Sequence, residues 1–457
     1  MKSTTKYISA AFAMILGAGC SFFGSQSANY CDDAAFNNCM NLVDAPIDGP
    51  STGCVADPGK CTGATLVCEP GADVCVECTT ANAAACVGME PVCGMDNSCR
   101  GCTEHSECAS AVCLPDGSCA AESDVAYVDG GVGAGTTCTK AAPCKTVTAA
   151  VAPSVGKAIV KVTGTVVETS RIVIGSPTVK TVIGAPGAKI SGSTTMVILE
   201  ARGGANVIVA DLEIGSTQGF EASACVLLPP GETVTVRLLR STVRKCTVGV
   251  NVLSGTAIVD RSTITLNGAG IQQSSGGTVT VTGATVTAND RGGVSIANST
   301  FKLVNNFIAS NGNSDNVTGS SFGGVSLDSA SATNQFDQNT VVYNHQKSIA
   351  VGAAGVTCLV TNFAAARNII SSNNAGLTFG PQTAGGCTFP NSYVMSDGEA
   401  NTLGFVNINT LNFHLTAASP ATVRDVAGLT TCPGNDIDGE ARPFNALCDL
   451  GADEYKP

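Results

Sequence analysis

No tryptophan occurs in the 457 residues, and Phe and Tyr bring the aromatic share to only 5%. A sugar-binding face made of stacked rings is therefore hard to assemble. Phe322, Phe363 and Tyr393 are the best candidates for exposed rings, because they fall in segments read as inserted loops. The three histidines, His105, His345 and His414, are too scattered to announce a histidine metal site or a catalytic triad. Charged residues make up 13% of the chain with a net charge of −12, so the clustered Lys and Arg of a nucleic-acid binder are missing. The stretch Gly184-Ala185-Pro186-Gly187-Ala188-Lys189 lacks P-loop spacing, which removes nucleotide binding. No apolar run is long enough to span a bilayer. Helical periodicity is missing between the β-branched runs, and this excludes alternating βα units.

What is abundant is cysteine, 23 in all. At the start, Lys2 and Lys6 precede a short apolar run from Ile8 to Leu16, and Gly17-Ala18-Gly19-Cys20 follows. The pattern reads as an export signal over residues 1–19. It resembles the lipobox of bacterial lipoproteins, although Gly17 stands where an aliphatic residue is usual. The resemblance implies a lipid on Cys20 as a membrane anchor, and Ser21 implies the outer membrane; plain secretion is the alternative. Setting Cys20 aside leaves 22 cysteines, an even number suited to disulfides in an exported chain.

After a linker at 20–30, residues 31–120 form a cysteine-rich module with 14 cysteines and almost no hydrophobic periodicity. Cys61, Cys68, Cys75 and Cys78 match Cys86, Cys93, Cys99 and Cys102, and Cys108, Cys113 and Cys119 read as a shorter third copy. Crosslinks rather than a core must hold such a segment. Its spacing loosely resembles the small knotted modules grouped with Dickkopf-type cysteine-rich domains. The simplest role is a stalk, with protein binding as the other reading.

From residue 121 to 400 the composition turns to Val, Ile, Thr and Gly. Five hexapeptides ending in asparagine recur there: STITLN, ATVTAN, NFIASN, NTVVYN and NIISSN, ending at Asn267, Asn289, Asn311, Asn344 and Asn373. Their spacings of 22, 22, 33 and 29 residues describe a fixed period interrupted by loops. The third position is always β-branched, and a unit this short must stack on its neighbours to bury an apolar face. A second strand opens with glycine and an apolar residue at Gly270-Ile271, Gly293-Val294, Gly324-Val325 and Gly376-Leu377, and Ser348-Ile349 departs from it. The expected fold class is all-β, a right-handed parallel β-helix of about ten coils at roughly 4.8 Å each, with a disulfide-rich domain before it. Each ladder asparagine is expected to take the left-handed turn conformation and to bond its neighbours above and below.

These residues resemble the pectin-lyase-like superfold. The opening Tyr127-Val128-Asp129…Pro143-Cys144-Lys145-Thr146-Val147 is similar to the motif that begins a short helix plugging the first coil. Here Cys144 replaces the usual phenylalanine, and a bond to Cys138 is the implied plug. The cap at 401–457, with Asp438-Gly439-Glu440-Ala441-Arg442-Pro443 and Asp449-Leu450-Gly451-Ala452-Asp453-Glu454-Tyr455, looks like the ending of exported bacterial β-helix proteins. Nearest-neighbour pairing is the simplest expectation for Cys138, Cys144, Cys225, Cys246, Cys358, Cys387, Cys432 and Cys448.

Members of this superfold include polysaccharide lyases, with carboxylates around calcium and an Arg or Lys base, and hydrolases with paired aspartates. Arg240, Arg261 and Arg367 share one coil phase, Asp260 and Asp337 the neighbouring one, and Asp290 and His345 each follow a ladder asparagine. None of these makes a tight acid–base pair, so they read as surface ion pairs. Asp436-Ile437-Asp438-Gly439 looks like part of a calcium loop, but Gly434 and Asn445 stand at ligand positions; mutual pairing of Asp438, Arg442 and Asp449 is the preferred reading. The expectation is a lipid-anchored, non-catalytic surface protein without a cofactor, whose loops at 312–323, 353–363 and 380–393 bind a glycan or a surface protein. A polysaccharide lyase or glycoside hydrolase is the alternative.

Overall fold

The computed structural model describes residues 53–457 except 176–178, 193–195, 218, 220–221, 314–321, 347–351, 376–377, 397–402, 427–428, 431 and 433. The export signal, Cys20, the linker, Cys31 and Cys39 lie outside the described residues. The chain divides into two compact units, Met1–Val76 and Glu77–Pro457, so the division falls inside the cysteine-rich segment rather than at its end.

In the first unit, bonds Cys54–Cys68 and Cys61–Cys75 hold an antiparallel pair formed by Val67–Glu69 and Val74–Val76. The same first-to-third, second-to-fourth pairing recurs in the second unit as Cys78–Cys93 with Cys86–Cys99, then Cys102–Cys113 with Cys108–Cys119. The repeat frame is thus one cysteine earlier than expected, and the third copy is complete because Cys102 opens it. Nor is this third copy a free stalk. Val112 and Ala120 are buried with Ile159, Ile183, Ala210 and Leu239 of the first coils. The Tyr127 hydroxyl donates to the Ser110 carbonyl at 2.8 Å.

The rest of the second unit is a parallel β-helix with three sheets of ten, nine and nine strands among the described residues. The ten-stranded sheet carries the hexapeptides. Their third positions, Ile264, Val286, Ile308, Val341 and Ile370, stack in one register with Val243 of the coil before, all buried in the interior. Each such side chain contributes about 1.5–3 kcal/mol on burial, which is what the period in the sequence records. At the start of the helix, Thr146 caps the short helix Val147–Ala150, whose Val147 and Ala150 are buried; Cys138 bonds Cys144 just before it in the chain.

The asparagine ladder is continuous. Asn267 donates from its backbone N–H and its Nδ2 to Asn289 Oδ1, both at 3.0 Å, and Asn289, Asn311 and Asn344 repeat the pattern up to Asn373. Each Nδ2 also reaches a strand carbonyl of the coil before, as Asn311 does at Val286 O, 2.8 Å. One end closes at Cys246, whose N–H donates to Asn267 Oδ1; at the other end Gln382 Oε1 accepts from Asn373. The left-handed residue is not the asparagine, however. It is the residue before each one, Leu266, Ala288, Ser310, Tyr343 and Ser372, with φ of 54° to 57°. The asparagine stays out of the left-handed region, and a non-glycine neighbour bears the backbone cost instead.

A second ladder at the other end of the same strands was not anticipated. Asn306, Asn339 and Asn368 bond one another in the same way and end on the Ser392 hydroxyl. Each hexapeptide is therefore one strand plus the turn at both ends.

The glycine column also differs from expectation. A Cβ on Gly249, Gly270, Gly293, Gly324 or Gly355 would lie 2.4–2.7 Å from the next coil's carbonyl and 2.8–3.0 Å from a ladder Nδ2. Gly355-Val356, not Ser348-Ile349, continues this column, because Val325 pairs with Val356. Residues inserted after Asn344 push the glycine along the chain.

Candidate functional site

The outer face of the ten-stranded sheet changes character along the helix axis. One register column reads Lys189, Glu213, Thr242, Thr263, Thr285 and then Phe307. From Phe307 onward the outward residues are largely apolar, Ala309, Val342 and Ile369 among them, and the C-terminal cap covers them with Phe413, Leu415 and Leu450. Before Phe307 the column is half-buried and polar.

Three adjoining clefts, of about 590, 510 and 360 Å³, lie along this polar stretch, and Arg240 lines all three. The third cysteine repeat, with His105, Asp116 and Gly117, walls one end. Cap residues Leu411, His414 and Asp438 wall the other. The floor between them is Lys189, Glu213, Thr242, Thr263 and Thr285. The result is one groove running across successive coils.

Arg240 belongs to a column of left-handed turn residues that includes Asp211, Arg261 and Arg367, with φ of 45° to 56°. The like charges expected at this phase are each answered by an acid. Arg240 holds Asp211 of the preceding coil through two bonds of 2.7 Å. Arg261 lies 3.5 Å from Asp260, and Arg367 grips Asp337 bidentately. Asp260 and Asp337 are three coils apart in register. Asp290 and His345 sit two ladder steps apart. Burial pushes the Asp290 carboxyl up despite Arg291, and pushes the His345 imidazole down. His345 and Asp290 line none of the three clefts.

His105, set aside on sequence, fastens one wall. Its Nδ1 accepts from the Cys113 N–H at 3.1 Å, which requires Nε2 to carry the proton it shares with Gly184 O at 2.9 Å. Burial holds this imidazole below its usual pKa, and Lys161 adds to the effect. Lys161 is itself buried, and burial brings its ammonium down to about 8.

The other wall holds the one place where two carboxylates and a histidine converge among the described residues. His414 Nε2 lies 2.8 Å from Asp438 Oδ2 and 3.9 Å from Asp453 Oδ1. Sequence distance hid this group, since the three residues come from separate turns of the cap. The expected mutual pairing of Asp438, Arg442 and Asp449 does not occur. Asp438 faces His414; buried Arg442 donates to Gly451 O at 3.0 and 3.1 Å; Asp449 accepts from the Asp425 and Tyr455 amides. Asp436, read as part of a calcium loop, receives the N–H groups of Asp438, Glu440 and Glu454, the bonding of a tight turn.

The expected contact loops lie elsewhere and are partly core. Ala353, Ala354, Val356 and Cys358 are fully buried, and strands run through 356–358 and 383–385. Cys358 bonds Cys387 there, while Cys225–Cys246 and Cys432–Cys448 link adjacent coils and the cap. Of loop 312–323, residues 314–321 lie outside the described residues. Phe322, Phe363 and Tyr393 are half-buried rather than exposed; the Phe363 ring meets Phe301 edge-on at 5.6 Å. They offer no stacking platform.

No family model matches the chain, and no curated protein matches it. Among solved structures it is similar to pectate lyase Pel9A, with 14% identity and a TM-score of 0.45 over 73% of this chain and 96% of that one. It is also similar to the Dettilon tailspike protein, with 14% identity and a TM-score of 0.34 over 56% of this chain and 58% of that one.

Proposed function

We propose that the protein is an exported, lipid-anchored binding protein whose groove across the coils, centred on Arg240, holds an extended hydroxyl-rich glycan without cleaving it. The observation that carries this reading is the polar column Lys189–Glu213–Thr242–Thr263–Thr285, which offers one hydrogen-bonding side chain per coil, about 4.8 Å apart. Cations and acids alternate along the groove, which favours a neutral or mixed-charge chain over a polyanion. A protein partner fits less well, because the floor column is Lys, Glu and Thr up to Phe307, which is buried. Catalysis is disfavoured because Asp211 and Asp260 each face an arginine. The test is affinity electrophoresis of the intact protein through a panel of neutral and uronic-acid polysaccharides, with product analysis in parallel. Retardation without new reducing ends or unsaturated products supports the reading; retardation by no glycan defeats it. The anchor is tested by Cys20→Ser, which should release the protein from the membrane fraction.

A second reading, a polysaccharide lyase or glycoside hydrolase, is favoured by one observation, the convergence of His414, Asp438 and Asp453 at the groove end. Products that disappear in Asp438→Asn would establish it.

A further inference from the structure

His414 turns one ring nitrogen toward two carboxylates. Asn412 Oδ1 accepts the His414 backbone N–H at 3.2 Å, which identifies that atom as the amide oxygen. The same oxygen lies 2.6 Å from His414 Nδ1, so Nδ1 must carry a proton and donate it. In the neutral ring Nε2 is then a bare lone pair. Nε2 is buried and has no aligned hydrogen-bond partner among the described residues, yet carboxylate oxygens of Asp438 and Asp453 stand 2.8 and 3.9 Å away. A lone pair facing two anions is repulsive unless a proton or a metal cation lies between them, and the two carboxylates together suit a metal cation.

The three ligand atoms lie within 4.8 Å of one another. A tetrahedral zinc ion with bonds of about 2.0–2.1 Å separates its ligand atoms by roughly 3.3 Å, between the two nitrogen–oxygen distances found here. The outer hydrogen bond from Nδ1 to Asn412 orients the ring as a metal-bound histidine requires. Phe307 adds an edge-on ring contact at 5.1 Å. Asp453 is nearly buried and its Oδ2 is fixed by the Leu415 N–H at 2.6 Å, which leaves Oδ1 on the histidine side. Asp438 is half-exposed and borders the groove, so a fourth position would face solvent.

We propose that His414 Nε2, Asp438 and Asp453 form a site for one transition-metal dication, with Zn²⁺ as the best chemical match. An imidazole ligand selects against Ca²⁺ and Mg²⁺, which take oxygen ligands. The site would cross-link three separate turns of the cap and stand independently of whether the groove takes a glycan.

The test is calorimetric titration of the chelator-treated, disulfide-intact protein with Zn²⁺ at neutral pH and without glycan, with a thermal melt at each end point. The expected result is one saturable site, a rise in melting temperature on saturation, and affinity at least about tenfold weaker in Asp438→Asn and in His414→Gln. Asp438→Asn changes a half-exposed side chain, so it keeps the test valid if the histidine variant does not fold. The absence of a saturable site would overturn the proposal and leave a protonated ion pair. Undiminished binding in Asp438→Asn, or Ca²⁺ displacing Zn²⁺ at equal concentration, would overturn it as well.

Discussion

Residues 78–119 and the coils from Ser241 to Gln382 belong to one compact unit, yet they are ordered by different means. The first bury few large apolar side chains; four disulfides, each closing a loop of 11 to 15 residues, restrict the unfolded chain. The second stack Val and Ile in register and lock the turns with ladders of buried amides, one along all five hexapeptides and one along the last three. The first device works without a core and tolerates almost any surface. The second needs a strict period, which is why the coils are written in the sequence as a repeat of residues and the cysteine module only as a repeat of cysteines. The groove runs over the coils between them, with the crosslinked repeat as one wall and the cap as the far wall.

The contrast can be broken most severely at the glycine column. Gly270→Val would place a methine carbon 2.4 Å from Gly293 O, and we expect a loss upward of about 3 kcal/mol, read as a drop in the urea midpoint of the coils. Next in size is removal of a crosslink. Replacing Cys86 and Cys99 together by serine should cost about 3 kcal/mol locally and expose 78–99 to proteolysis, while the coil signal in far-ultraviolet dichroism persists. A ladder deletion is smaller and lies in the other region. Asn311→Ala removes the acceptor of the Asn289 N–H and one of the two donors to Asn344 Oδ1, for a loss of about 1–3 kcal/mol seen as faster hydrogen exchange in the flanking coils and none at 103–117.

The smallest effect is one of pH, and its sign differs between the third cysteine repeat and the cap. The His105 imidazole has a folded pKa below its ordinary value near 6.5, so the unfolded chain binds more protons there; its contribution is complete above that pH and declines as pH falls below it. Burial raises Asp449 to about 6, against backbone bonds that lower it, so the folded cap binds more protons between about 4 and 6 and loses stability as pH rises through that window. Exchange protection, corrected for intrinsic rates, should therefore fall on acidification at 103–117 while it rises around Asp425 and Tyr455. Parallel changes in both regions would contradict these assignments.

Much of the fold was legible because its period is short. The third-position column and the phase of Arg240, Arg261, Asp260 and Asp337 follow directly from aligning hexapeptides. The left-handed position was misplaced by one residue, since asparagine is the usual occupant of that conformation and Leu266, Tyr343 and Ser372 are not. The second ladder stood in plain view in NFIASN, NTVVYN and NIISSN, each of which begins with asparagine. The landing place of the cap was also encoded. Outward positions pass from Thr263, Thr265 and Thr285 to Phe307, Ala309, Val342 and Ile369, and only a covered face would spend apolar residues there. The groove itself was not legible, because its walls come from segments distant in sequence that no local period relates. His414, Asp438 and Asp453 meet only through the packing of the cap, and their spacing matches no short motif.

The most direct test of the binding groove is the affinity of a retained oligosaccharide for the intact protein and for Arg240→Ala, measured by calorimetry with the melting temperature as a control for folding. Arg240 lines every part of the groove and its side chain is substantially exposed, so the variant should bind at least about tenfold more weakly with little change in melting temperature. Equal affinity in the two proteins would place the ligand elsewhere and contradict the account.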